Sequence, residues 1–427
     1  MSKKTKFLFL SLRQISLLMT RQFLGLFFLP IFIYAQSSHT LSTQQILGSL
    51  NPITTSVPFL LISPDSRQGA MGEAGAATDP DVNSIHWNGA KLAMVEKDMG
   101  FGISYSPWLR QLVPDISLSY LSFYKKLNKM STVGASMRYF SLGNITFTDI
   151  MGNTTGQFKP NEFAFDVAYS QKLSQVFSVG LAFRYINSNL TGGYSVNGQP
   201  TKVGQTVAVD VSLYYKSKKF DLGEKKAVFT SGLAITNIGS KISYSVVRNF
   251  IPTNMRLGFG LKSFIDDYNT IGIYTDLNKL LVPTPPIYYK AASGSDSIDL
   301  ATGKKVIMDG MDPNVPVAQG IIQSFYDAPG GFKEELREIN IASGFEYSYS
   351  NQLYFRSGYF YENKYKGGRQ FITFGFGVKY SVFGLDASYL IPATATRNNP
   401  LQNTWRFTLS FDFDAFKKQN IETTPQE

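Results

Sequence analysis

The stretch FSVGLAFRY at 177–185 puts Phe177, Val179, Leu181, Phe183 and Tyr185 on one parity and Ser178, Gly180 and Arg184 on the other. Successive side chains of a β-strand point to opposite faces, so this segment has one greasy, aromatic face and one small or charged face. The rhythm recurs outward in both directions. Phe101, Ile103 and Tyr105 oppose Gly102 and Ser104, and Phe163, Phe165, Val167 and Tyr169 oppose Glu162, Asp166 and Ser170. Near the end, Trp405, Phe407, Leu409, Phe411 and Phe413 oppose Arg406, Thr408, Ser410 and Asp412. Segments of this kind fill the chain after residue 96 and are about nine to twelve residues long, the length a tilted strand needs to cross a bilayer.

A water-soluble sandwich also alternates. Two features favour a membrane wall instead. The apolar faces carry Phe and Tyr at their ends, as an interfacial girdle requires, and the opposite faces carry Arg184, Asp210, Glu346, Arg356 and Asp386, which suit a polar lumen. Strands centred on Ile103, Leu118, Ser136, Asp166, Gly180, Val209, Gly232, Phe259, Ile273, Ala342, Phe355, Phe374, Leu385 and Leu409 number about 14. Their links alternate between short (127–129, 173–175, 264–268, 348–352, 381–382) and mostly longer (143–161, 187–204, 237–252), the pattern of periplasmic turns and external loops. The reading is an all-β, transmembrane antiparallel barrel of about 14 strands over 97–413, in a bacterial outer membrane, with both barrel ends in the periplasm and a tail at 414–427.

Composition agrees. Aromatic residues make up 14% and charged residues 17% of 427 positions, with mean hydropathy near zero. Greasy residues interleaved with polar ones give those averages, and a bundle of apolar helices does not. Residues 1–35 read as a secretory leader: Lys3, Lys4 and Lys6, further charge at Arg13 and Arg21, an apolar run at 23–34, and a cut between Ala35 and Gln36. A retained anchor helix is the alternative, but the run is shorter than a span needs. The formal charge of +10 falls by the leader's five cations to +5, spread along the chain with no block dense enough for nucleic acid. Cysteine is absent, so neither disulfides nor thiolate chemistry contribute.

The segment 36–96 is irregular, apart from a short helix expected near 43–50. It contains SVPFLLISPDSR (56–67), GAMGEAG (69–75) and DPDVNSIHWNGAKLA (79–93). These residues resemble the PorV family, outer-membrane barrels of the type IX secretion system that are themselves similar to FadL-type fatty-acid transporters. The resemblance extends through the strand layout and the first external loop with Trp108 and Leu109. It implies that 36–96 is a periplasmic and hatch segment folding into the lumen. The FadL-like Asn-Pro-Ala hatch motif here reads Asn88, Gly89, Ala90. Gly frees the backbone that Pro would fix. Asp65, Arg67 and Glu73 are expected to pair with charges on the lumen wall, and Gly72, His86, Trp87 and Asn88 to shape the hatch. The alternative is that all are fold-determining residues with no binding role.

The resemblance further implies a docking role. A PorV-like barrel works beside a giant translocon barrel, receives secreted cargo through its C-terminal signal domain and passes it to a sortase-like attachment complex, with lipid and lipopolysaccharide around it and no nucleic acid. The link at 279–337 is far beyond ordinary loop length and is either functional or disordered. It holds a Pro-rich stretch (Pro283, Pro285, Pro286), a small polar stretch at 291–305 and an amphipathic helix expected at 317–326. Trp108, Leu109, those prolines, Phe325 and Tyr326 are the candidate partner contacts. The rival reading is a FadL-like channel for small hydrophobic molecules; a third is a purely structural barrel.

Enzyme chemistry finds no foothold. Gly69–Gly75 lacks the Lys-Ser/Thr of a phosphate loop, Asp79 and Asp81 lack a calcium-loop Glu, and His39 and His86 are the only histidines. No catalytic constellation, metal or cofactor is expected, and His86 reads as a hydrogen-bonded structural residue.

Overall fold

Alternation of one apolar and one polar face closes a sheet only if every strand finds two neighbours, and here each does. The computed structural model describes residues 47–108, 115–148, 151–195, 200–291, 295–393 and 404–414. The leader with Ala35 and Gln36, the helix start near Thr43, Leu109 and the tail from 415 lie outside the described residues.

Fourteen long strands form the wall. They are β1 (Met99–Pro107), β2 (Ile116–Lys126), β3 (Ser131–Leu142), β4 (Asn161–Lys172), β5 (Phe177–Asn189), β6 (Gly204–Lys216) and β7 (Lys225–Gly239). The second half comprises β8 (Asn254–Phe264), β9 (Asn269–Leu280), β10 (Asn340–Tyr349), β11 (Leu353–Tyr361), β12 (Gln370–Tyr380), β13 (Phe383–Pro392) and β14 (Thr404–Phe413). Each pairs antiparallel with its sequence neighbours, and β1 closes the circle on β14 from Met99↔Phe413 to Tyr105↔Phe407. Every expected strand centre falls inside one of them.

Side-chain direction follows the rhythm. On β5, Leu181 and Phe183 are 56% and 52% exposed while Arg184 is 2% exposed. An apolar belt facing outward and charges facing inward is the arrangement of a barrel in lipid. The wall has one register break at the β6–β7 pairing, between Ile235 and Ile238. Asn237 there has φ 61 and turns inward: its N–H donates to Asp210 Oδ1 (2.7 Å) and its Nδ2 to the Pro252 carbonyl (2.9 Å).

Short turns gather at the end where β1 begins and β14 ends; long links gather at the other, which is therefore the external end. The link between β6 and β7 extends its hairpin, with Phe220–Leu222 pairing back on Lys225–Ala227. The 281–339 link folds into a short ladder (Ile287–Tyr288 with Ile307–Asp309) and two helices, α3 (Val317–Gln323) and α4 (Phe332–Arg337).

Candidate functional site

The lumen is filled by the chain's own residues 47–98. This segment contains only short pieces: a 3-10 turn at Pro58–Leu61, α1 (Ser66–Ala70), α2 (Ser84–Trp87) and a 3-10 turn at Gly89–Met94. Helices of four or five residues do not stand alone in water, so wall contacts must hold them. Apolar packing supplies part of that. Phe59, Leu60, Leu118, Phe140 and Ile186 form one buried cluster, and Val82, Ile85, Leu92, Tyr120 and Tyr124 form another.

The segment passes through the lumen from the external end to the periplasmic end. Its first described residues sit at the external end: the Asn51 N–H donates to the Tyr365 carbonyl (2.9 Å), and Arg337 Nη1 donates to the Leu47 carbonyl (2.6 Å). Its last residues sit at the periplasmic end, where the Asp98 N–H donates to the Phe413 carbonyl (3.1 Å). The hatch therefore runs the full height of the barrel.

Ion pairs lock it to the wall. Arg67 donates from Nε and Nη2 to the two Glu346 oxygens, both at 3.0 Å, and from Nη1 to Asp81 Oδ2 (2.9 Å) and the Asp79 carbonyl (3.0 Å). Glu346 also accepts from Arg356 Nε (2.7 Å), and Arg356 Nη1 reaches Asp386 (2.6 Å). Glu73 accepts from Arg406 Nη2 (2.9 Å). Asp65 departs from expectation: its hydrogen bonds stay within the hatch. It caps α1, accepting from the Gln68 N–H (3.0 Å), and its other oxygen accepts from Trp87 Nε1 (2.7 Å). Asp65 and Trp87 thus tie two parts of the hatch together.

Several wall residues escaped the sequence reading. Asp276 on β9 accepts from the Gly75 and Ala76 N–H groups (2.7 and 2.8 Å), and Thr373 on β12 accepts from the Gly72 N–H (2.9 Å). Gly72 (φ 65) lies so close to β11 that a Cβ on Gly358 would meet the Gly72 nitrogen at 2.1 Å. Asn88 pins the turn to hatch and wall: its Oδ1 accepts from the Ala90 N–H (3.1 Å) while Nδ2 donates to the Ala76 and Leu213 carbonyls (3.0 and 2.9 Å). His86 corrects a second expectation, because its buried Nε2 has no hydrogen-bond partner; its ring stands edge-on to Trp87, and its carbonyl accepts from Arg256 (3.1 Å). Among the described residues no group of three or more His, Asp or Glu could hold a metal ion.

Above the hatch, the 281–339 link forms a cap held by buried charges. Lys279 Nζ donates to Glu335 (2.9 Å) and Glu338 (2.6 Å); Lys366 Nζ donates to Glu334 (2.5 Å) and Glu338 (2.9 Å). Asn51 Nδ2 joins this cluster through the Pro285 carbonyl (3.1 Å) and Glu334 (3.0 Å). Burial, reinforced by Glu335, pushes the Asp327 carboxyl up to about 7, and burial also raises Glu335. Pro283 and Pro286 are buried and Pro285 half-buried, which withdraws the first two as contacts for an outside partner. Phe325 and Tyr326 remain exposed, beside Ile322, Phe332 and Leu336. Trp108 also points inward. It lines a cavity of about 810 Å³ beneath the cap, with Phe371 of β12, Arg369 of the β11–β12 link, and Ile53, Pro58, Leu61, Ile62 and Glu73 of the hatch.

A closed 14-strand wall with a greasy exterior, and a lumen occupied by the protein's own N-terminal segment, defines a plugged outer-membrane β-barrel. The model of the family described as type IX secretion system protein PorV matches residues 46–287, more than half of the chain, and the chain belongs to that family. No curated protein sequence matches it. Similar solved structures include the toluene transporter TbuX of Ralstonia pickettii (11% identity, TM-score 0.43, covering 82% of this chain and 98% of that one). The toluene transporter TodX of Pseudomonas putida (10%, 0.45, 85% and 98%) and a Pseudomonas aeruginosa FadL homologue (10%, 0.39, 86% and 100%) are also similar.

Proposed function

We propose that this component of the type IX secretion system is a docking platform rather than a pore or a catalyst. It would sit beside the giant translocon barrel, receive cargo by its C-terminal signal domain and hand it to the sortase-like attachment complex. The observation that carries this reading is the lumen lock: Arg67, Glu346, Arg356 and Asp386 tie the hatch to the wall in a buried chain, inside a lumen the hatch already occupies. Cargo must then cross elsewhere, and what this barrel offers is its external cap. There Ile322, Phe325, Tyr326, Phe332 and Leu336 expose apolar side chains on a scaffold held by the Lys279 and Lys366 ion pairs. Aromatic side chains on a rigid support are the usual anchors of a protein interface.

The test is a Phe325→Ala/Tyr326→Ala/Phe332→Ala variant assayed for surface abundance, cargo secretion and co-purifying membrane proteins. Normal abundance with secretion and partner recovery both lost is the expected result. Unchanged secretion and recovery would remove the proposal.

The cavity under the cap favours a second reading, a channel for small hydrophobic molecules. A lateral exit would need a gap in the wall, and the β7 break is bridged by Asn237. Comparing long-chain fatty-acid uptake with cargo secretion in a deletion strain separates the two readings.

A further inference from the structure

The periplasmic rim is electrically lopsided. Three consecutive turns, β2–β3, β4–β5 and β6–β7, are joined edge to edge, since the Lys172 N–H donates to the Met130 carbonyl (2.7 Å) and the Lys216 N–H to the Val176 carbonyl (2.8 Å). At about 4.8 Å per strand they form an arc of roughly 25 Å. The first turn presents Lys125, Lys126 and Lys129, and the second Lys172. The third presents Lys218, Lys219, Lys225 and Lys226 against Asp221 and Glu224. Lys226 pairs with Asp221 (2.6 Å) and Lys126 donates to the Glu96 carbonyl (2.8 Å). Lys125, Lys129, Lys218 and Lys225 are exposed and, among the described residues, form no ion pair.

The opposite arc is different in kind. Its turns at 265–268, 350–352 and 381–382 contain no lysine or arginine, and Lys379, two residues before the last of them, lies on the lumen-facing parity of β12; the first turn carries Asp266 and Asp267. Tyr268, Tyr349, Tyr380 and Phe383 are exposed on that side instead. The basic arc also keeps greasy side chains among its cations, with Leu127 and Leu173 more than half exposed and Met130, Phe220 and Leu222 exposed nearby.

We propose that this basic arc binds anionic phospholipid headgroups of the periplasmic leaflet. Lys125 lies on the lipid-facing parity of β2, one step below Phe123, so its ammonium reaches headgroup level while its stem stays against acyl chains. Leucines and methionine beside unpaired lysines suit a bilayer interface, where apolar groups enter the acyl boundary and ammonium groups meet phosphate. An acidic protein partner would need only the charge. The opposite arc, aromatic and free of cations in its turns, has no such preference, so the barrel would collect anionic lipid on one flank.

The experiment uses the mature full chain, with phosphatidylglycerol and phosphatidylcholine of matched acyl chains titrated in native mass spectrometry. Each lysine at an anionic surface contributes about fivefold in affinity before screening. Lys125→Gln/Lys129→Gln/Lys218→Gln/Lys225→Gln is therefore expected to lower the phosphatidylglycerol preference at least roughly tenfold. Lys290→Gln/Lys304→Gln/Lys305→Gln on the external cap should leave it unchanged. Should the fourfold variant fail to fold, the wild-type preference must still weaken as salt rises. Equal binding of the two lipids by the wild type, or a preference that survives the four substitutions, overturns the proposal. So does loss of a co-purifying acidic periplasmic protein from the fourfold variant with lipid preference intact.

Discussion

Removing Arg67 should loosen the hatch without dissolving the barrel. Arg67→Ala deletes two charge-assisted bonds to Glu346, one to Asp81 and one to the Asp79 carbonyl. Glu346 keeps Arg356, and Asp81 keeps Gln68 Nε2 (2.8 Å), so neither carboxylate is stripped of every partner. Breaking one side of a buried pair costs about 3–5 kcal/mol, and the retained partners place this case at the lower end. About 3 kcal/mol is roughly a hundredfold in the population of hatch-open molecules. The wall is held by continuous strand ladders and should survive. Hydrogen exchange at 65–94 should therefore speed up about a hundredfold while β1–β14 amides remain protected. Single-channel recordings should show transient ion-conducting openings absent from the parent. Arg67→Ala/Glu346→Ala removes both members of the pair and should cost less than the sum of the two single variants, a non-additive result. If Arg67→Ala leaves exchange and conductance unchanged, or the double variant is simply additive, the lumen lock does not hold the hatch.

Three more outcomes follow from particular contacts. Gly358→Ala would drive a methyl into the Gly72 backbone, and overpacking of about 1–3 kcal/mol should lower the apparent melting temperature measured by heat-dependent gel mobility. An unchanged melting point would show that hatch and β11 can separate freely. Trp87→Phe removes the indole donor from Asp65 and should cost about 1–3 kcal/mol in denaturant titration of the hatch, with Asp65→Asn/Trp87→Phe less harmed. In the cap, the Asp327 pKa lies above its unfolded value of 3.8, so the closed cap binds more protons than an opened one. Cap stability should then fall as pH rises from about 4 to about 7 and level off above, read as proteolysis at 311–330. Asp327→Asn should flatten that dependence, and a wild-type cap more resistant at pH 8 than at pH 5 would reverse the assigned sign.

The wall was legible because a strand writes its two faces in alternate letters. Even some cross-wall pairs were within reach: a tight turn near 351 places Glu346 opposite Arg356, and one near 175 places Asp166 opposite Arg184. The hatch contacts were not. Arg67 and Glu346 are 279 positions apart, and no periodicity links a plug residue to one strand among fourteen. Asp65 illustrates the limit, since its spacing to Gln68 fits a helix cap as well as a wall contact. The direction of the plug also left no mark, because short helical pieces of four to six residues read alike from either end. The inward turn of Trp108 and the burial of Pro283 depend on how the cap folds over the mouth, a long-range outcome that composition does not encode.

The full-height course of residues 47–98 constrains how such a molecule can be built. Leu47 rests at the outer mouth and Asp98 at the inner one, so the polypeptide must already be laid along the axis when the cylinder seals. Feeding it in afterwards would mean dragging Arg67, Glu73 and Asp81 past a finished ring of fixed charges. Closing the β1–β14 seam around a segment already in place avoids that crossing.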